Sequence, residues 1–98
     1  MLVELQATLE REIPMCRHMG IRVVGCPDGG LEVAMPLELN HNHQHTAFAG
    51  SLNALCTITG WGSMYLLLRQ LETAGNIVIR RSSIRYHQPV ATPEVTAR

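Results

Sequence analysis

The chain has 98 residues, room for one small domain, and its 46% apolar and 16% charged side chains fit a globular rather than a disordered protein. Eight basic and eight acidic side chains cancel, so nothing in the charge calls for a nucleic acid or an anionic membrane as partner. Three cysteines, an odd number without C-x-x-C spacing, exclude a disulfide framework as the simplest reading and point to reduced thiols in the cytoplasm.

No basic stretch followed by an apolar core opens the chain, so a secretory leader is not expected. Leu2, Leu5, Leu9 and Ile13 recur at helical spacing among charged residues and predict a short amphipathic helix that Pro14 ends or kinks. Met15 to Gly20 reads as a connection. Ile21–Val24 and Leu31–Met35 read as two strands paired across the turn Pro27-Asp28-Gly29-Gly30, with Pro36 at the end of the second.

Asn40 to His45 is polar and rich in histidine. A long apolar helix follows, predicted from Ser51, a good N-cap, to about Glu72 and closed by Ala74-Gly75-Asn76. Polar and glycine residues interrupt it, which marks a core helix and not a membrane span. Gly60 and Gly62 each cost such a helix about 1 kcal/mol relative to alanine, so a sheet, a partner or a ligand is expected to come close there. Ile77 opens a predicted strand reaching Tyr86 or His87, residues 89–93 turn, and Glu94–Arg98 begins another strand. Strands flanking one long helix make an α+β arrangement with the helix covering a sheet face.

Pro36-Leu37, Asn40-x-Asn42, Thr46-x-Phe48-Ala49-Gly50-Ser51-Leu52, Thr59-Gly60-Trp61-Gly62 and Ile84-Arg85-Tyr86-x-x-Pro89-Val90 together span nearly the whole chain. In this combination the sequence resembles the thioesterase-type family typified by the C-terminal domain of the YiiD proteins. The resemblance implies a hotdog fold, an antiparallel sheet wrapped around a long central helix, with subunits paired edge to edge and acyl-thioester sites near their interface. It implies a hydrolase of acyl-CoA or acyl-carrier-protein thioesters in fatty acid metabolism, acting as a homodimer or higher oligomer without cofactor or metal. Hotdog domains usually continue with further strands beyond the point reached by Arg98, so residues 1–98 are expected to form one such domain without its last strands.

The resemblance also singles out site residues. Asn42, six residues before Phe48, stands where related hotdog enzymes often place an asparagine; its amide can position water or polarise a carbonyl, or simply close a turn. Gly50 and Ser51 offer backbone N–H groups at the positive end of the helix. Many hotdog thioesterases carry an acid nine residues after the position of Phe48; here that residue is Thr57, and no carboxylate lies between Asn53 and Glu72. Thr57 and Asn53 are hydrogen-bonding candidates, although helical threonines commonly bond the preceding turn.

Phe48 and Trp61 are candidates to line the acyl chain's path. His41, His43 and His45 alternate and, on an extended loop, would share one side; a solvated loop is preferred to a metal site, with His45 retained as a possible base. Cys56 reads as a small core residue. Arg80, Arg81 and Arg85 form a cationic cluster suited to the phosphates of coenzyme A or an acidic carrier. The competing class is a non-catalytic acyl-binding or dimerisation module of the same fold.

Overall fold

Helix α1 (Leu2–Glu12) turns Leu5, Thr8 and Leu9 inward and Glu4, Glu10 and Arg11 to solvent, as its spacing predicts; the structure, a computed structural model, describes residues 1–98. Where only a connection was expected, a second short helix, α2 (Met15–Met19), starts at Pro14 and buries Cys16 and Met19. Proline lacks the N–H an interior helix position needs but suits a first turn, so one residue ends α1 and begins α2.

Strands β1 (Arg22–Gly25) and β2 (Glu32–Pro36) pair antiparallel, with Val23 opposite Val33 and a register shift before Gly25. The turn between them places Asp28 and Gly29 in the left-handed region, at φ 56° and 84°. Strand β3 (Glu94–Ala97) occupies the other edge of β2, with Met35 opposite Val95, giving the sheet order β1-β2-β3.

Helix α3 (Ala49–Gln70) lays Leu55, Ile58, Thr59 and Gly62 toward the interior. The core joins these to Leu5 and Leu9 of α1 and to Val33, Met35 and Val95 of the sheet. At Gly62 a Cβ would lie 2.7 Å from Leu31 Cδ2 and 3.4 Å from Leu5 Cδ2, so the close approach expected of this glycine is made by the core itself. Gly60 lies on the opposite side of the helix, where a Cβ would meet nothing within 4 Å.

The ends of α3 differ from the prediction. It begins at Ala49, with Phe48 as N-cap and no side-chain cap, and Ser51 falls inside its first turn. It ends without help from Gly75: Glu72 adopts φ 54° and the Thr73 N–H donates to the Leu68 carbonyl at 3.0 Å. The predicted strand from Ile77 to Tyr86 or His87 has no regular secondary structure. The segment lies along α3 instead and pairs with neither open edge of the sheet, β1 or β3, so no ladder forms.

Candidate functional site

The side of α3 away from the sheet carries Asn53, Thr57, Gly60 and Met64, successive turns of one side of the helix, with Trp61 at its edge and partly buried against the core. Ile77, Ile79 and Ile84 face them from the segment after the helix, enclosing a cleft of about 440 Å³, within the size range of small-molecule sites. The segment is fastened near the start of α3: the Tyr86 hydroxyl donates to the Ala49 carbonyl at 3.0 Å, and the Ala47 N–H donates to the Val90 carbonyl at 2.7 Å.

Asn53 and Thr57 give the cleft a polar end, and Trp61, Met64 and Ile77 an apolar one. Thr59 and Ser63 return their hydroxyls to carbonyls one turn back, at 2.7 and 2.9 Å. Thr57 does not: its hydroxyl and the Asn53 amide face the cleft without a protein partner. Cys56 also lines this wall and is exposed, contrary to the core position expected for it, because the core-facing residues of the helix are its neighbours Leu55 and Ile58.

One turn before Asn53 lies the start of the helix. The first helical hydrogen bond runs from the Leu52 N–H to the Phe48 carbonyl, leaving the N–H groups of Ala49, Gly50 and Ser51 without protein acceptors. The Phe48 ring, 54% exposed, covers Gly50 so closely that a Cβ there would lie 2.6 Å from its Cε2.

Asn42 is spent on the loop. Its Nδ2 donates to Thr46 Oγ1 at 2.8 Å, and its Oδ1 accepts from the N–H groups of Gln44 and Thr46 at 2.9 and 3.1 Å. These bonds close the loop into a tight turn in place of the extended strip that would align three histidines. His45 takes φ 62°, and its ring centre lies 4.8 Å from that of His41, the planes tilted by 36°, beside Pro36 and Pro93 and outside the α3 cleft. His43 is exposed, and no three His, Cys, Asp or Glu side chains converge as a metal site.

The structure therefore gathers Asn53, Thr57 and Trp61 in one cleft, sets Gly50 and Ser51 one turn away, and leaves Asn42 and His45 in the loop. Sequence reasoning missed Met64, Ile77 and Ile84, although Met64 continues the Asn53–Thr57–Gly60 face by a simple helical count. It also passed over Asn40, which is 3% exposed, donates to the carbonyls of Met19 and Pro36 at 2.9 and 2.8 Å, and receives the Phe48 N–H on its own carbonyl. Arg80, Arg81 and Arg85 are exposed and pair with no carboxylate, whereas Arg22, Arg69 and Arg98 all do.

Residues 2–98 match the family described as "Putative thioesterase (yiiD_Cterm)". The chain belongs to this family. Among solved structures it is similar to one described as the putative thioesterase from Shewanella oneidensis, with 40% identity and a TM-score of 0.88 over 92% of this chain and 63% of that one. A protein of unknown function from Chlorobaculum tepidum TLS is similar at 30% identity and TM-score 0.88, over 95% of this chain and 56% of that one. The chain thus spans less than two thirds of either structure's length. The family membership and these likenesses make the fold a hotdog fold, with α3 as the central helix. In that frame Thr57 occupies the helix position where the sequence resemblance expected an acid, and it is one of the two unpartnered polar side chains of α3 facing the cleft.

Proposed function

We propose that the chain hydrolyses acyl thioesters carried by coenzyme A or an acyl-carrier protein, with the acyl group seated in the α3 cleft. The observation that carries this reading is the alignment along one helix of unbonded N–H groups, an unpartnered Asn53–Thr57 pair and an apolar trough. Donors already fixed where negative charge develops stabilise a tetrahedral intermediate without reorganising. The N–H groups at Gly50 and Ser51 would receive the thioester oxygen, and the Thr57 hydroxyl and Asn53 amide would orient the attacking water.

Asn42 then works at one remove, holding the turn that delivers Phe48 and Gly50 to the helix start. Arg80, Arg81 and Arg85, exposed and without carboxylate partners beside the cleft, suit the phosphates of the carrier. A cytoplasmic homodimer fits the reading: Val78 and Ile79, 82% and 62% exposed, lie on an unpaired segment that a second copy can cover. No helix is long and apolar enough to cross a membrane.

A non-catalytic acyl-binding module is the second reading, favoured by a cleft that no carboxylate lines. Thiol release from a chain-length series of acyl-CoAs separates the two. Hydrolysis by the wild type that falls on the order of 10²-fold in Thr57→Val or Asn53→Ala, with folding intact, is the expected result. A folded wild type that releases no thiol from any member of the series contradicts the hydrolase and leaves the binding module.

A further inference from the structure

Trp61 and Ile77 border two cavities at once. On one side is the 440 Å³ cleft; on the other is a groove of about 830 Å³ whose walls carry the charged side chains Glu12, Arg69 and Glu72. The indole and the isoleucine side chain are the partition between an apolar trough and a wider groove of mixed character, where apolar side chains alternate with Glu12, Arg69 and Glu72.

The partition is braced. Trp61 stacks on Tyr65 with ring centroids 5.6 Å apart and planes 19° from parallel. The Tyr65 hydroxyl donates to Glu4 Oε1 at 3.1 Å and lies 3.5 Å from Thr8 Oγ1, and the Arg69 guanidinium sits 5.9 Å from the centre of its ring. Tyr65 is therefore tied to α1, and the indole resting on it has a fixed backing. Along the axis of α3, Thr57 precedes Trp61 by roughly 6 Å and Met64 by roughly 10 Å at the usual helical rise.

We propose that the Trp61–Ile77 partition sets the length of acyl chain this protein accepts, ending the trough after a short chain. The inference rests on the thioester reading of the cleft and goes beyond it by naming the residues that decide among substrates. A longer chain must displace the indole from Tyr65 or carry methylene groups past Ile77 into the wider mixed groove, toward Glu12, Arg69 and Glu72. Either course reduces the favourable transfer of those methylenes out of water. Discrimination by a pocket end of this kind ranges from about 10-fold to 200-fold per methylene.

The test is the kcat/KM profile over acyl-CoAs of increasing chain length for wild type, Trp61→Ala and Ile77→Ala. Trp61→Ala removes the wall; Ile77→Ala removes its other half from outside any helix or strand, so it keeps the question open to test if the first variant fails to fold. The expected result is a wild type that prefers short chains and variants whose ratio of long-chain to short-chain kcat/KM rises at least tenfold. Because Trp61 is the single tryptophan, its fluorescence gives a second readout without turnover. Non-hydrolysable alkyl-CoA thioethers should leave its emission unchanged at the shortest chain and shift it once the chain reaches the indole. A wild type that turns over acyl-CoAs while both variants keep its length profile overturns the partition alone. Emission that responds equally to every chain length does the same. A folded wild type that neither hydrolyses nor binds any member overturns the thioester reading, and this inference falls with it.

Discussion

Gly60 and Gly62 are two positions apart and face opposite demands. Alanine at 62 drives a methyl group into Leu31 and Leu5, so Gly62→Ala should destabilise by about 1–3 kcal/mol despite the better helix former. Gly60→Ala meets open space and should stabilise by up to about 1 kcal/mol. Urea unfolding of the pair checks both signs. In the loop, Asn40→Ala should cost about 1–3 kcal/mol, because it strips the buried Met19 carbonyl and the half-buried Pro36 carbonyl of their donor.

The thiols separate by burial. Cys26 and Cys56 are exposed and should react promptly with a thiol reagent, while Cys16 waits for unfolding. Burial, and then the nearby Glu10 charge, hold the Cys16 thiol above its ordinary pKa. The unfolded chain therefore loses that proton first as pH rises. The contribution of the neutral thiol is full below the ordinary thiol range and is lost as pH climbs through and beyond it. Urea midpoints measured through the alkaline range should fall in wild type and fall less in Cys16→Ala.

At the level of elements, the cleft depends on how residues 77–90 lie against α3. Tyr86 is the fastening nearest the helix start, so Tyr86→Phe should raise KM more than it lowers kcat, with little change in melting temperature; steady-state kinetics and a thermal melt decide this. The elements legible in the sequence are those whose signal is local. Leu5 and Leu9 announce α1 by their spacing, and the Pro27–Gly30 turn announces the β1–β2 hairpin. The apolar run Ile77–Ile79 and the alternation from Ser83 to His87 suggest an extended chain but not whether a neighbouring strand exists, so a strand was predicted where the chain runs unpaired. The site was legible to a similar depth. Asn53, Thr57 and Trp61 fall on one helical face by count, whereas nothing local distinguishes Thr57, free in the cleft, from Thr59, bonded to Leu55. The roles expected of Asn42 and His45 depended on loop geometry. Three hydrogen bonds of the Asn42 side chain fold that loop onto itself, which no spacing rule encodes.

For the whole molecule, a central helix covered by the sheet on one face and open to a cleft on the other connects the fold to the proposed activity. The exposed Val78, Ile79 and Tyr86 lie beside that cleft, so self-association and substrate binding should be linked. Sedimentation at micromolar concentration is expected to show a dimer that Val78→Glu with Ile79→Glu shifts toward monomer, and wild-type turnover per subunit should fall on dilution through the dimer–monomer transition. The central claim, that acyl thioesters are cleaved in the α3 cleft, is tested most directly by filling it. Gly60→Leu places a side chain into the trough from a position with no neighbour within 4 Å, on the side of α3 opposite its core contacts. Thiol release from the best acyl-CoA should fall at least tenfold in this variant while its thermal melt is unchanged or raised. A Gly60→Leu protein that is folded and turns over that acyl-CoA at the wild-type rate would contradict the account.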